Sequence, residues 1–361
     1  MSEIAEPAPA AEPSSVAEPA PAAESARGGR QRRGGRHRRT RRRLSGWLTL
    51  LGWIGIGLLA IVALMRIFAW DDLEPFALLN TFSILLYLPA WFVAIVAVAG
   101  RRYVLAAAAL LIVAVQLALV LPELTAAQPA PQWAAHAPTL RLLDANVYYL
   151  NPSMAGYARE IQQYKPQLVT MEEATTREAT MLEHSSSLRA LPYRIDIARD
   201  DPKAFFIASA YPLHEQRVIY SGGVPLIVEA TIELPSGPQT LWVVHTDAIT
   251  DSFKLWKSQL TLIAKLVRAH STNKLLVVGD FNATWGSKGF REILGDGMTD
   301  GAAARGRALD MTWSQTEGPL PPFVRIDHVL TGPGVAVTSI RTGDGPGSDH
   351  RDLMATVAVR R

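Results

Sequence analysis

The sequence predicts an α/β domain with two sheets and outer helices, carried behind three membrane-spanning helices. Two observations predict this. Three apolar runs follow one another in the first third of the chain, and from Thr139 onward short apolar strands alternate with amphipathic helices. A third observation, the gathering of polar residues at the ends of those strands, marks where chemistry belongs, because catalytic groups are displayed on loops of a rigid scaffold.

The first element, residues 1–43, is a tail. Its first 26 residues repeat an Ala/Glu/Pro pattern (EPAPAAEP, then AEPAPAAE) with too few large apolar side chains to offset chain entropy, which predicts disorder. An Arg/Gly run from Arg27 to Arg43 follows, so that 1–43 holds ten arginines against five glutamates. Such a run suits RNA or anionic lipid. Directly before a long apolar stretch it reads better as a topology signal.

The second element, residues 44–124, is read as three transmembrane helices. No charge occurs between Arg43 and Arg66 or from Phe76 to Gly100, and Tyr103 to Pro122 has Gln116 as its only strongly polar residue. Each run reaches the roughly 20 residues needed to cross a bilayer core. One such run is compatible with a signal peptide; three in succession are not. Trp47, Trp53, Trp70 and Trp91 fall at or near the expected interfaces. The Arg-rich tail and the Arg101–Arg102 pair belong on the cytoplasmic side, and the acidic loop Asp71-Asp72-Leu73-Glu74-Pro75 outside. These signals agree if there are three spans, and everything after Glu123 is then expected outside the cytoplasm, in a multi-pass protein of the cell membrane. Residues 125–138 read as a short linker.

The third element, 139–361, carries the strands Leu140–Val147, Leu168–Met171, Ala204–Ser209, Leu226–Leu234, Thr240–His245, Leu275–Gly279, Ile326–Leu330, Val335–Arg341 and Met354–Val359. Helices are expected near Ser153–Tyr164, Thr175–Leu188, Ser252–His270 and Ser287–Leu294. So many strands in this length suit one α/β domain.

Composition narrows the chemistry. There is no cysteine, so thiol nucleophiles, disulfides and Cys-based metal sites are excluded. The net charge of +3 is an average: from Thr139 onward there are 23 Lys+Arg and 24 Asp+Glu, about −1. Proteins working on duplex DNA usually carry a basic surface, and this region has no bulk excess of that kind. No Gly-x-Ser-x-Gly elbow, Gly-x-x-x-x-Gly-Lys phosphate loop or His-Glu-x-x-His zinc helix occurs.

What remains is a set at the strand ends. Asn146 ends the first strand, Glu172-Glu173 the second, His245 the run Leu-Trp-Val-Val-His, and Asp280 and Asn282 the run Leu-Leu-Val-Val-Gly-Asp-Phe-Asn. Asp327-His328 falls in Arg-Ile-Asp-His-Val-Leu, and Ser348-Asp349-His350 in a Gly-rich loop. Amides, carboxylates and imidazoles without a thiol suit a hard cation such as Mg²⁺ or Mn²⁺ and the hydrolysis of phosphate esters. Singly, each residue has another reading: Asn146 as a turn former, Asp280 as an Asx turn, His245 as a core histidine. By strand alternation Glu172 is expected on the face opposite Glu173.

In this order the segments Asp-Ala-Asn146-Val, Met-Glu-Glu173-Ala, Val-Val-His245, Val-Gly-Asp280-Phe-Asn282-Ala, Arg-Ile-Asp327-His and Ser348-Asp349-His350 resemble the endonuclease/exonuclease/phosphatase superfamily across nearly all of 139–361. The resemblance implies a DNase I-like four-layer αββα sandwich. It implies Glu173 as main metal ligand, Asn146 beside it at the metal or its waters, and Asp349 completing the metal or its surroundings. It also implies Asp280 orienting or deprotonating the attacking water, Asn282 holding a phosphate oxygen, and His245 stabilising the pentacoordinate phosphorus. His350 would touch the scissile phosphate, oriented by Asp327. A carboxylate behind an imidazole fixes its tautomer and raises its basicity, which independently supports that last pair. In the stretch Phe205-Phe-Ile-Ala-Ser209-Ala-Tyr211-Pro212 an alanine stands where the family often has a phosphate-binding arginine, with Lys203 or Arg199 as substitutes.

The resulting expectation is a divalent-metal-dependent phosphoesterase at the outer face of a membrane, acting on a lipid (pyro)phosphate, as in the actinomycete teicoplanin-resistance proteins it resembles. The alternatives are an anchored extracytoplasmic nuclease, for which nucleic acid is possible but not favoured, and a catalytically inactive binding module. No protein partner is implied.

Overall fold

A computed structural model describes residues 33–361 apart from 271, 296 and 316–319, with side chains from 46 onward apart from 272. The disorder expected for 1–26 and the start of the Arg/Gly run lie outside the described residues. The chain divides into two compact units, 1–50 and 51–361. In the first, the described part is the beginning of helix α1 (Arg33–Phe68).

Two helices are long and apolar enough to cross a membrane: Gly46–Phe68 within α1, and α5 (Tyr103–Leu124), with mean hydropathies of 2.4 and 2.9. The expected middle span is broken. It comprises α2 (Glu74–Thr81), α3 (Ser83–Leu86) and α4 (Leu88–Ala99). Its two parts meet at 83°, so a third span exists only if the bent pair counts as one. The break has a packing counterpart: fully buried Ala77 of α2 joins an apolar cluster with Trp256, Leu260 and Phe290, while Ala90, Ala94 and Ala97 of α4 pack against Leu105, Ala106 and Ala109 of α5. Gln116, within the apolar stretch of α5, accepts from Trp91 Nε1 at 2.8 Å and donates to the Ile84 carbonyl at 2.8 Å, so both ends of its amide are paired.

Residues 139–361 form four layers. One sheet has the order β11–β12–β1–β2–β4–β3, with β1 (Thr139–Asn146), β2 (Leu168–Glu172), β3 (Tyr193–Ile197), β4 (Phe205–Ser209), β11 (Val335–Thr342) and β12 (Leu353–Val359). The other has the order β5–β6–β7–β8–β10–β9, with β5 (Leu213–Ser221), β6 (Val224–Leu234), β7 (Gly237–His245), β8 (Leu275–Asp280), β9 (Thr299–Asp300) and β10 (Asp327–Thr331). Strand alternation sorts the core. Leu140 and Leu142 of β1 join Leu168, Val243, Leu276 and Val278 between the sheets. Leu143 and Ala145 face outward to α6 (Ala155–Tyr164) and α7 (Thr176–Glu183). On the far side α8 (Ile249–Ala269) and α9 (Lys288–Gly295) cover the second sheet through Trp256, Ile263, Phe290 and Ile293. The αββα sandwich is thus present, and a short helix α10 (Gly301–Ala304) follows β9.

The strands missing from the sequence reading are β3, β5 and β9. All three lie at sheet edges, and β3 and β5 bury too few side chains to show an apolar pattern. The predicted linker 125–138 is not a free tether either. A 3₁₀ turn at Gln132–Ala135 seats Ala134 against Ala336 and Ala358 on the β11–β12 edge.

Candidate functional site

The parallel pairs β1/β2 and β7/β8 end at the same edge of the sandwich, where antiparallel β10 and β12 begin. That geometry collects residues scattered along the sequence. Asn146 lies opposite Glu172, His245 opposite Asp280, and Asp280 opposite Asp327.

Two backbone features aim the side chains. Glu173 has φ 58° and Asn282 φ 46°, left-handed values that turn each residue out of strand alternation at the point where it leaves the sheet. Gly279 has φ 123°, and a Cβ there would stand 2.2 Å from the Val244 carbonyl and 2.8 Å from Glu172 Oε1. Only glycine allows β8 to approach so closely.

Asn146 donates from Nδ2 to Glu173 Oε1 at 3.0 Å and Asp280 Oδ2 at 3.2 Å, while its Oδ1 accepts from the Tyr148 backbone at 3.1 Å. It is therefore both turn former and site residue, and its amide NH₂ faces the two carboxylates. Asp280 repeats the arrangement: Oδ1 accepts from the Asn282 backbone at 2.7 Å, and Oδ2 faces the site. Asn282 Nδ2 donates to Asp280 Oδ2 at 3.1 Å and to the Thr246 carbonyl at 3.2 Å. His245 Nε2 stands 3.7 Å from Glu173 Oε1 and 3.9 Å from Asp280 Oδ2, and its Nδ1 has no partner. Burial, with Lys203 and His350 nearby, pushes its pKa well down, so this imidazole is neutral.

The second imidazole is its opposite. His350 Nδ1 lies 3.0 Å from Asp327 Oδ2, and its Nε2 3.8 Å from Asp280 Oδ2. Burial works against its charge, but Asp327 and Asp280 outweigh burial and raise it to about 10. Asp349 accepts from Trp313 Nε1 at 3.1 Å, and its charge acts on both Glu173 and His350. All eight residues singled out in the sequence are brought to this one edge.

The sequence reading missed the floor of the site. Glu172 does not point away: its fully buried carboxyl lies with Asp144 below Asp280 and Asp327, and neither oxygen has a hydrogen-bond partner. It shares its strand face with Asn146's neighbour Asp144, and Glu173 reaches the same centre only through its left-handed backbone. Burial, reinforced by Asp144, Asp327 and Asp280, raises Glu172 well above the carboxylate range. The missed signal is the i, i+2 pattern Asp144–Asn146 on β1, which places both on one strand face. Of the two candidate cations, Lys203 is at the site. Its Nζ is 2.8 Å from Asp247 and 3.0 Å from the Thr246 carbonyl that Asn282 also uses. Arg199 instead pairs locally with Asp201. His328, left out of the catalytic set, is buried between Asp300, Arg325 and the Ala283 carbonyl.

The donors fit a divalent cation. Ligand atoms of Asp280, Asp327 and His350 lie within 4.8 Å of one another, but His350 is cationic, and a protonated imidazole cannot ligate. The better donors are Glu173 and the other acidic oxygens around it. Burial raises the Glu173 pKa, so its charge lacks full compensation from the protein. An oxygen-rich set of this kind suits Mg²⁺ or Mn²⁺.

Comparisons with known proteins agree with this architecture. Structures of TDP2 from D. rerio in complex with a single-strand DNA product (TM-score 0.50, 16% identity, covering 61% of this chain and 99% of that one) and of truncated Caenorhabditis elegans TDP2 (0.50, 16%, 61% and 98%) share the fold. So does a humanized D. rerio TDP2 with 14 mutations (0.51, 14%, 61% and 99%). At such identity the likeness establishes the fold and nothing finer. Among curated proteins, sequence comparison finds no match. The model of the endonuclease/exonuclease/phosphatase family matches residues 145–350, from the end of β1 to His350. The chain belongs to the endonuclease/exonuclease/phosphatase family, a family of phosphoesterases and nucleases.

Proposed function

We propose that this protein is a divalent-metal-dependent phosphoesterase working at the outer face of a membrane, with a lipid-linked phosphate or pyrophosphate as preferred substrate. The observation that carries the chemistry is the opposition of two imidazoles across Asp280: His350, held cationic by Asp327, and His245, held neutral by burial. Glu173, with Asp349, would hold Mg²⁺ or Mn²⁺, which supplies charge neutralisation at the phosphoryl group, while the Asn146 NH₂ holds the Glu173 and Asp280 carboxylates in place.

The chain's own residues do the rest. Asp280, raised to about 7 mainly by burial and by Asp327, is poised to orient water and accept its proton near neutral pH. Asn282, whose amide hydrogens rest on Asp280 and the Thr246 carbonyl, would turn one of them to a phosphoryl oxygen. His350 stabilises charge developing on phosphorus, and Asp327 keeps it protonated. Lys203, beside Asn282, supplies the cation missing from the central strand.

The lipid reading draws on the apolar helices, on the near-neutral charge of 139–361, and on Arg101 and Arg102, which sit at the ends of α4 and α5 remote from the catalytic centre. It also draws on the resemblance to membrane-anchored teicoplanin-resistance proteins. The test is phosphate release by the full chain from a polyprenyl pyrophosphate with Mg²⁺ or EDTA, beside plasmid cleavage, with Asp280→Ala in parallel. Lipid turnover that needs metal and Asp280 is expected. DNA nicking with the same dependences, and no lipid turnover, would replace this reading with an anchored nuclease.

A further inference from the structure

One row of aromatic side chains joins the catalytic centre to the membrane helices. Phe82, at the bend between α2 and α3, stacks on Phe323 with ring centroids 5.9 Å apart and planes at 28°. Phe323 meets Trp313 edge to face at 5.7 Å. Trp313 donates its indole N–H to Asp349, one residue from His350, and its backbone bridges to both Val324 and His350. The row therefore has a polar end in the active site and an apolar end where Ser83–Ala99 begins.

The three rings are half-buried, whereas rings that served only to glue the helices to the domain would be enclosed. The seam beneath them, between Ile84, Leu119 and Val120 on one side and Met311 and Val324 on the other, holds a cavity of about 20 Å³. A hydrocarbon chain cannot enter it and must lie across the outer faces of the rings. Exposed apolar side chains continue from Phe82 along α3 and α4 through Leu85, Leu88, Trp91, Phe92 and Ile95.

We infer that Trp313, Phe323 and Phe82 form a track that carries one hydrocarbon chain of the substrate from the bilayer to the catalytic centre. This rests on the lipid-phosphate reading and deepens it. The enzyme selects single-chain lipid phosphates by tail as well as by headgroup. The indole N–H keeps Trp313 oriented, and the phenyl faces of Phe323 and Phe82 take the chain.

The test compares a long polyprenyl pyrophosphate with dimethylallyl pyrophosphate, which shares the headgroup but whose five-carbon tail is too short to follow the row from Trp313 onto Phe323 and Phe82. With the full chain in nanodiscs, Phe323→Ser and Phe82→Ser should each lower kcat/KM for the long substrate by about tenfold, the worth of one lost apolar contact. Turnover of dimethylallyl pyrophosphate should stay within about twofold, which also reports that the variants are folded. In wild-type protein, a diazirine in the tail of the long substrate should label the peptide containing Phe323. Equal losses on both substrates, or no loss on either, would overturn the track, as would labelling confined to α1, α4 and α5. If wild-type protein hydrolyses neither lipid but cleaves another phosphoester, the lipid reading itself has failed and the track falls with it.

Discussion

Arg325 Nη2 lies 2.7 Å from Glu123 Oε1 in the last turn of α5, while its Nη1 lies 2.8 Å from Asp300 Oδ2. All three residues are buried, and His328 Nδ1 closes the group 2.9 Å from the same guanidinium nitrogen. The two-sheet domain is thus clamped to the apolar helix α5 rather than tethered. Trp70 and Lys288 add to the clamp, donating from Nε1 to the Gly286 carbonyl and from the backbone N–H to Asp71. Removing one partner of a buried pair leaves a charge uncompensated and costs about 3 kcal/mol. Glu123→Ala should therefore lower the thermal midpoint in detergent by several degrees, and Glu123→Gln, whose oxygen still accepts, by less. Equal midpoints for all three proteins would show that the clamp carries no stability.

Asp327 sets the charge of His350, and the sign of its effect is fixed. The folded-state pKa of about 10 lies above the unfolded value of about 6.5, so the pair's contribution is full below the latter and lost as pH rises through the former. In Asp327→Asn the alkaline limb of the pH–rate profile should move toward neutrality and the maximal rate fall about a hundredfold. A lower rate with an unmoved alkaline limb would mean that His350 does not act as a cation.

Gly279 admits no side chain. In Gly279→Ala the new Cβ would meet the Val244 carbonyl at 2.2 Å, with φ at 123°. A loss of about 3 kcal/mol or more is expected, read as a collapse of the unfolding midpoint or of the folded yield. Wild-type stability in this variant would mean that β7 and β8 part easily, against the close pairing of Val244 and Gly279 within that sheet.

Glu160 and Asp352 form a second buried acidic pair beside the catalytic loop. Burial first, then Asp352, raises Glu160 to about 7; burial, with Asp344, raises Asp352 to about 6. Both lie above their unfolded values of about 4, so their contribution is present below that pH and lost as pH rises through 6 and 7. The thermal midpoint should fall between about pH 5 and about pH 8, and Glu160→Gln should flatten that fall. Parallel curves for the two proteins would assign the pH dependence elsewhere.

Chelation offers a test that does not depend on any substitution. EDTA should abolish phosphoester turnover and lower the thermal midpoint, because a ligand bound only by the folded state stabilises it. Mg²⁺ or Mn²⁺ should restore both. Turnover unaffected by EDTA would remove Glu173 from its proposed role.

Several parts of the site were legible because their signals are local. A run ending in Val-Gly-Asp280-Phe-Asn282 shows both the buried strand and the polar pair that leaves it. The order Asn146, Glu173, His245, Asp280, Asp327, His350 followed the family pattern, and every one of these side chains lies at the same edge of the sandwich. The edge strands β3 and β5 were not legible, since their exposed faces carry Arg194, His214 and Glu215 and obscure the alternation. Nor was the bend in the middle span, because hydropathy cannot tell an apolar segment that meets lipid from one, like Ala77, that meets protein.

The sequence by itself determined the apolar run lengths, an α/β domain with two sheets and outer helices, and the identity of the residues displayed at strand ends, because periodicity and residue type are properties of neighbouring positions; the αββα layering came from the family resemblance. Only the tertiary structure decided that Glu172 lies beneath the site, that Lys203 and not Arg199 stands beside Asn282, and that Glu123 grips Arg325 across 202 positions. Those relationships depend on where two sheets and an apolar helix come together. No short-range pattern encodes a contact between distant segments, and a single left-handed residue such as Glu173 redirects a side chain that strand alternation alone would send the other way.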